Sequence, residues 1–438
     1  MQSSTKRWWR AFAALLALSL IAAACGDDDD TASNETGVDE TTTTEGDTPT
    51  ENGEAPDGTP VTIGIVYSET GRSASTYGDV DSVGEAWAEW VNTEHGGVNG
   101  HPVEVKAYDA ASTGEGALAA AQEAISDGVV GIIIQDSTAE NAITEAITSA
   151  GIPMIGGTAN SRPMDTGDTH WPNTYFNTAP SNPSSAAAAV LAASAAGLES
   201  FAAAVCAEVP ACAQAGILYE LVAPGAGIEY AGLVTVGAAE PSYTAPCLEL
   251  INLGADVINL GLAPQTAVSV VEECALQGYE GAYAAIMNTV TGADFEDLGV
   301  RLVGGINGFP WWADAEPAQA FRDAFETYGD GSDIRNPSIT TTWSALELFR
   351  AAMEDYGPAA DEDVTTQSVI EAYHQIDGET LDGLLPQPIS YVEDGFQPLI
   401  KCFWLFEMDD QGEFSTLTQG ESGNEATGDL QTSCFSLG

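Results

Sequence analysis

Polar side chains follow short apolar segments in residues 61–157, at the point where each segment ends. There are four such segments, and Ser68, Ser137 and Thr158 stand after three of them. Helix-like segments lie between, so the pattern predicts parallel strands joined by helices. In an open parallel sheet, ligands bind at the carboxyl ends of the strands. The sequence therefore predicts a ligand site at this edge.

Catalytic motifs are missing from the sequence. It has no G-x-S-x-G elbow, no H-E-x-x-H and no Walker loop. Its four histidines, His95, His101, His170 and His374, have no plausible nucleophile partner, and no C-x-x-C is present to favour zinc. We therefore expect a binding protein that is not an enzyme and needs no metal or cofactor.

The charge balance excludes nucleic acid as a partner. The 438 residues include 66 acidic and 11 basic side chains, for a formal charge of −55, and phosphate contacts require Lys and Arg. A solvated acidic surface is the expected result. With 44% hydrophobic residues, a chain of this length can bury a real core in about two to three domains.

The amino terminus predicts export. Lys6, Arg7 and Arg10 precede an apolar segment, residues 11–24, that is too short to span a bilayer comfortably. Residues 1–24 are therefore predicted to be a signal peptide. The sequence IAAAC ending at Cys25 resembles the lipobox of bacterial lipoproteins, in which the cysteine is lipidated; ordinary cleavage with Cys25 incidental is the alternative. We expect a lipid-anchored protein on the extracytoplasmic face of a bacterial membrane.

Residues 25–60 are predicted to be a flexible tether. They contain DDDD, TTTT and repeated Glu, Gly, Thr and Pro, with almost no apolar residue to offset the entropy of ordering. Such a tether lets a globular domain stand off the membrane without spanning it.

Six further cysteines in an exported chain indicate disulfides, with 15 possible connectivities. Sequence proximity favours three pairs: Cys206 with Cys212, Cys247 with Cys274, and Cys402 with Cys434.

A second series of alternating strands and helices begins after residue 183, and three helices and two short strands close the chain. In the first series, Trp87 and Trp90 lie on the apolar stripe of a helix and are predicted to be core residues. The two series predict two doubly wound α/β lobes.

Several segments in order resemble the type I periplasmic-binding-protein family, in particular the branched-chain amino-acid-binding lipoproteins of ABC importers. They are IGIVYSETGRSASTYG, GGVNGHPVEV, DGVVGIIIQDSTAENA and AGIPMIGGTAN. The resemblance implies two Rossmann-like lobes joined by a three-strand hinge that close on a ligand. It places lobe I at residues 61–178 and 306–388, and lobe II at residues 179–305 and 389–438.

The same resemblance implies where the ligand binds. Hydroxyls and backbone N–H groups at helix N-termini hold the ligand carboxylate in this family. For Ser137 and Thr138 the alternative role is N-capping of a helix that begins at Ala139, and this role is compatible with ligand binding. The matching residues are Ser137, Thr138, Thr158, Ala159 and Asn160, with an aromatic contact from Tyr77.

Three more residues are weaker candidates for ligand contact. Trp311 stands at a predicted crossover and either stacks on the ligand or packs the hinge. Arg72 and Arg162 lie on predicted loops of lobe I and either pair with an anion or form surface pairs.

Lobe II departs from the amino-acid-binding pattern. The acidic residue expected near AYAAIMNTV is absent, a tyrosine is replaced after INLG, and CAEVPAC replaces an aspartate and a tyrosine. A buried ammonium without a carboxylate is costly. We expect a small amino-acid-like, amide or carboxylate ligand, delivered by a monomer to ABC permease subunits. An extracytoplasmic sensor with the same fold is the alternative.

Overall fold

Two sheets, each built from alternating strands and helices, organise the protein. The computed structural model describes residues 56–157, 173–180, 182–207, 210–287, 292–393, 397 and 399–435, all within one compact unit. The predicted signal peptide, Cys25 and nearly all of the predicted tether lie outside the described residues.

The first sheet is entirely parallel, with strand order β2-β1-β3-β4-β5. Its inner strands are apolar on both faces, as expected for a parallel sheet covered by helices on both sides. The strands are β1 (Val61–Tyr67), β2 (Val103–Asp109), β3 (Gly131–Ile134), β4 (Met154–Gly156) and β5 (Tyr175–Phe176).

Four helices follow strands of this sheet: α1 (Ala74–Tyr77), α2 (Val80–Glu94), α3 (Gly114–Asp127) and α4 (Ser137–Ser149). In α3 the Thr113 side chain caps the first turn by accepting from the Gly116 N–H, and Gly128 ends the helix in the left-handed conformation.

Trp87 of α2 is fully buried and Trp90 is partly buried against the core, as the apolar stripe predicts.

The second sheet has the order β14-β13-β10-β9-β8-β6-β7, with β15 paired to β13. Strands β6 to β10 are parallel, and the late strands add antiparallel pairs. The strands are β6 (Ser200–Cys206), β7 (Glu229–Val236), β8 (Val257–Gly261), β9 (Ala282–Met287), β10 (Leu302–Ile306), β13 (Cys402–Met408), β14 (Phe414–Leu417) and β15 (Ser433–Cys434).

The helices of the second series are α5 (Asn182–Ala195), α6 (Pro210–Val222), α7 (Thr244–Leu253) and α8 (Pro264–Leu276). The sequence pattern does not predict α6, because apolar residues occur on both its inner and outer faces. Tyr219 is buried in the core, while Ile217 and Leu221 are exposed. A helix with apolar residues on both faces shows no clear amphipathic stripe.

Three later helices return to the first sheet and pack around α2 and each other. They are α9 (Glu316–Tyr328), α10 (Pro337–Tyr356) and α11 (Thr366–Tyr373), followed by the hairpin of β11 (Asp377–Glu379) and β12 (Ile389–Ser390). The chain thus leaves the first sheet after β5, returns after β10 and leaves again after β12. Because β5 and β10 end at these crossovers, the carboxyl edges of both sheets adjoin them.

Three disulfides join the cysteines in the pairing that sequence proximity favours. One links the end of β6 to α6, one links α7 to α8, and one links β13 to β15. In the described part of the chain, no helix is long and apolar enough to cross a membrane.

Candidate ligand-binding site

The carboxyl ends of three neighbouring strands are tied together by one buried serine. The Ser68 hydroxyl, just after β1, donates to the Asp136 carboxylate, just after β3. Its oxygen accepts from the Ser112 N–H, after β2, at 3.0 Å. Ser68 and Asp136 are 0% and 1% exposed, so water does not compete for these bonds. The edge of the first sheet is therefore fixed before any ligand arrives.

Asp109 organises the exposed loop beside this serine. Its carboxylate accepts the Thr70 hydroxyl at 2.6 Å and the Ala111 N–H at 2.7 Å, along with the N–H groups of Glu69 and Thr70. Burial pushes the pKa of Asp109 up, but these hydrogen bonds outweigh it and hold the pKa below its ordinary value.

The loop after β2 holds two non-glycine residues in the left-handed region. Ala111 and Ser112 have φ of 50° and 55°, which costs free energy in a residue with a Cβ. The bonds from Asp109 and Ser68 to their backbone N–H groups stabilise that conformation. Strained backbone held in this way is typical of binding sites.

Two glycines at the end of β4 let the backbone pass close to its neighbours. Gly156 and Gly157 have φ of 73° and 76°. A Cβ on Gly157 would lie 2.5 Å from the Tyr175 hydroxyl, which donates to Glu140 Oε1 at 2.8 Å. Only glycine fits there without displacing this buried pair.

The first-lobe residues implied by the resemblance are placed only in part. Ser137 and Thr138 open α4, which begins two residues earlier than predicted. The residue directly before the helix is therefore Asp136, and not Ser137 or Thr138. The alternative role of capping a helix from Ala139 is wrong for this reason. Tyr77 ends α1 and is 9% exposed. Four candidates lie outside the described residues: Thr158, Ala159, Asn160 and Arg162.

Trp311 packs into an aromatic cluster against the second sheet. It is 4% exposed, and its ring meets Trp312 and Phe414 edge-on, with centroids 4.7 and 5.1 Å away. The neighbouring Trp312 donates to Thr416 Oγ1 at 3.1 Å. The hinge-packing role is thus the one these contacts support, and ligand contact by Trp311 stays a prediction.

The first residues after three strands of the second sheet are uncharged. Ala207, Leu262 and Asn307 are the first residues after β6, β8 and β10. The Cys206–Cys212 disulfide stands at the same edge. The arrangement suits hydrogen bonding and apolar contact more than ion pairing.

The arginines in the described residues are mostly committed to other partners. Arg301 pairs with Glu407 at 2.6 Å, and Arg350 pairs with Glu347 at 2.6 Å. Arg322 donates to the carbonyl oxygens of Trp311 and Ala313. Arg72 is exposed in the turn after β1. No group of three or more His, Cys, Asp or Glu side chains in the described part could hold a metal ion.

Sequence reasoning noted Ser68 only as a polar residue that follows a strand, and it did not single out Asp109 or Asp136. Their signal was positional, because each stands at or directly after the end of an apolar strand. What the pattern could not show is that the three strand ends are neighbours, since strand order is set by the crossovers.

Comparison with known proteins assigns the fold to a class. A family model described as periplasmic binding protein matches residues 60–413, and the chain belongs to this family. Its fold is that of the type I periplasmic binding proteins, with two α/β lobes. A search of curated proteins by sequence finds no match.

Solved structures share the fold at low sequence identity. A leucine-binding protein LivK from Thermotoga maritima is 18% identical with a TM-score of 0.62, covering 81% of this chain and 97% of its own. A solute-binding protein from R. palustris in complex with 4-hydroxybenzoate is 17% identical with a TM-score of 0.63, covering 83% and 96%. A fatty acid ABC transporter substrate-binding protein from Thermomonospora curvata is 15% identical with a TM-score of 0.65, covering 84% and 93%.

Proposed function

We propose that this protein captures a small amino-acid-like, amide or carboxylate ligand between its two lobes and delivers it to an ABC importer. The observation that carries the proposal is the pair of strand edges at the crossovers, one held by Ser68 and Asp136 and the other with uncharged residues directly after β6, β8 and β10. Closing such edges on a solute buries it from both sides, so polar groups determine which solute fits.

The relatives support a small solute without fixing its identity. The similar structures are named for leucine, 4-hydroxybenzoate and fatty acid. These solutes share little beyond a carboxylate and an apolar part. We propose that lobe I supplies the generic half of the site and that lobe II determines which ligand is accepted.

The proposed ligand contacts are those implied by the resemblance. They include backbone and hydroxyl groups at the start of α4 and in the segment after β4, where an anion or carbonyl would meet N–H donors. The proposed residues are Tyr77, Ser137, Thr138, Thr158, Ala159, Asn160 and, as a stacking surface, Trp311.

We further propose that lobe I comprises residues 61–178 and 306–388 and lobe II residues 179–305 and 389–438. A lipid on Cys25 and the tether of residues 25–60 would hold the lobes at the membrane, near the permease. A Cys25→Ser variant is expected in the soluble fraction of cells, whereas the unaltered protein sediments with membranes. Membrane partition of the variant would contradict the anchor.

A solute screen tests the function. The full-length protein is heated with amino acids, short amides, ureas and carboxylates, and a true ligand raises its Tm by mass action. Ser137→Ala and Thr158→Ala are expected to weaken binding of that ligand at least about tenfold, the effect of about 1.4 kcal/mol. Exposed Ser75→Ala serves as the control. Unchanged affinity in both site variants would overturn the site assignment.

A further inference from the structure

Gln135 carries a buried amide with an unmet hydrogen bond at the ligand edge of the first sheet. Its backbone N–H donates to Val66 O at 3.1 Å, so the chain still follows the ladder of β3 beyond its last strand residue. The side chain is 6% exposed. Its Nε2 is buried and has no hydrogen-bond partner.

Thr178 carries a second unmet group at the same level of the sheet. Ile134 pairs with Gly156, and Ile155 pairs with Phe176. Continuing this register one or two residues places Gln135, Gly157 and Thr178 side by side across three strands. Thr178 is 2% exposed, and its Oγ1 is buried without a partner. The strand between the two has glycine, so no side chain separates them.

Both side chains lie on the face of the sheet that α10 covers. Ile133 and Phe176 share a core cluster with Ala345 of α10, and side chains two residues apart point to the same face of a strand. A Cβ on Gly156 would lie 3.1 Å from Ala345 Cβ and 3.8 Å from Thr178 Oγ1. The two unmet groups therefore lie on the same face of the sheet and at the same level, beside the crossover.

The helix opposite does not satisfy them. The hydroxyls of Thr340, Thr341 and Thr342 donate to carbonyl oxygens one turn back in their own helix. A buried polar group left unpaired costs about 1 to 3 kcal/mol, and most such groups in proteins find a partner. Two of them at a ligand edge indicate a partner that arrives with the ligand.

We propose that Gln135 Nε2 and Thr178 Oγ1 form a subsite for an uncharged carboxamide, whose carbonyl oxygen accepts from Gln135 and whose N–H donates to Thr178. This assignment rests on the solute-binding function proposed above and narrows its ligand class. Within the described residues a carboxylate would find no unpaired cation among Arg301, Arg335 and Arg350, because each of them is paired with a carboxylate. An ammonium group has only hydrogen-bond donors, so it cannot accept the N–H of Gln135 Nε2.

Two isosteric series of probes test the class. Butyramide, butyrate and butylammonium form one series, and benzamide, benzoate and benzylammonium form the other. Thermal shift and calorimetry on the full-length protein are expected to show binding by an amide at least about tenfold tighter than by its charged isosteres, since buried polar groups discriminate strongly against an ill-paired ligand.

Three variants separate ligand contact from a structural role. Gln135→Met and Thr178→Val remove the unmet groups at nearly constant shape, so the free protein is expected to keep or raise its Tm. Each should weaken amide binding at least about tenfold. Thr174→Val is the matched control, because Thr174 has a similarly unmet buried hydroxyl at the other end of β5, and it should leave binding unchanged.

The outcomes are distinguishable. Amide binding lost in Gln135→Met and Thr178→Val but kept in Thr174→Val supports the subsite. Tighter binding of butyrate, benzoate or an ammonium, or undiminished amide binding in both variants, overturns it while the solute-binding function stands. If no probe and no solute of the wider screen raises the Tm, the result contradicts the solute-binding function itself. A lower Tm in the free Gln135→Met and Thr178→Val proteins with unchanged binding identifies the groups as hydration sites and overturns the subsite.

Discussion

At the scale of single residues, short polar side chains hold the candidate site in place. Asp109 and Ser68 each satisfy backbone N–H groups of the loop after β2. That loop contains Ala111 and Ser112 in the left-handed region. The free energy needed to hold the loop comes from hydrogen bonds within lobe I, so it is available before a ligand binds.

Asp109→Asn is expected to lower the free energy of unfolding at neutral pH by about 0.5 to 1 kcal/mol, a value reduced by solvent screening. The pKa of Asp109 is lower in the folded state, so its stabilisation is present above the ordinary value of 3.8 and is lost as the pH falls below it. In urea unfolding, the free energy of unfolding of the variant and that of the unaltered protein should differ less at pH 3 than at pH 7. A constant difference would contradict the assignment.

Asp79→Asn is expected to raise the free energy of unfolding at neutral pH, whereas Asp109→Asn lowers it. Burial, and then the charges of Asp81, Asp330 and Asp333, raise the pKa of Asp79. Its ionised form is therefore unfavourable in the folded state at neutral pH, and the penalty disappears as the pH falls to 3.8 and below. The asparagine variant should be more stable at pH 7 and indistinguishable at pH 3 in the same urea titrations. Greater stability that persists at pH 3 would point to a cause other than charge.

At the scale of elements, glycines and disulfides set how closely segments approach. The predicted alternation of strands and helices agrees with the structure, because apolar periodicity and turn residues are local signals. The start of α4 and the whole of α6 were missed. The first depends on how the chain turns at Asp136, and the second lacks an amphipathic stripe.

Gly157→Ala is expected to lower the free energy of unfolding by more than the cost of placing an alanine in the left-handed conformation. A left-handed alanine costs about 1 to 2 kcal/mol, and displacing the Tyr175 hydroxyl from Glu140 adds about 1 kcal/mol. Gly151→Ala is the control, because its φ is 73° but a Cβ there has nothing within 4 Å. Chemical unfolding of both variants isolates the steric part. Equal losses would mean that Tyr175 moves aside freely.

Removing the Cys247–Cys274 disulfide is expected to cost more stability than removing Cys206–Cys212. The first closes a 27-residue separation and the second a separation of 6. The chain-entropy model gives about 3.6 and about 2.4 kcal/mol. Double alanine variants compared by urea unfolding test this order.

The shorter bridge stands at the ligand edge of the second sheet, so its removal should weaken solute binding, whereas removal of the Cys247–Cys274 bridge between α7 and α8 should not. A solute affinity that is unchanged without Cys206–Cys212 would limit that bridge to a stabilising role.

At the scale of the whole molecule, an arginine beside the helices of the first sheet pairs with a segment of the second sheet. Arg335 lies between α9 and α10, which pack with the first sheet, and pairs with Glu296, which lies between β9 and β10 of the second. The other edge of the Arg335 guanidinium binds Asp333 in the same loop, with Nη2 2.7 Å from Oδ2. Asp333 thus orients the guanidinium toward Glu296, and the pair stabilises this arrangement of the lobes.

Glu296→Gln is expected to let the lobes separate more readily. The radius of gyration from solution scattering should rise in the absence of solute. Solute binding should weaken about two- to fivefold, the effect of an ion pair worth about 0.5 to 1 kcal/mol. High salt should reproduce both effects in the unaltered protein. Asp297→Asn makes the same charge change at the exposed neighbouring residue and should do neither. Matching behaviour of the two variants would assign the effect to net charge.

The sequence by itself determined the alternation of strands and helices, the neighbouring cysteine pairs and the polar residues after each strand, because these follow from local periodicity and spacing. Only the tertiary structure decided which strand ends meet. Ser68 and Asp136 are 68 residues apart in the chain yet hydrogen-bonded, and Gln135 and Thr178 share one level of the sheet through the register of β3, β4 and β5. The reason is physical: strand order, register and lobe contacts come from packing between distant segments, which no local pattern contains.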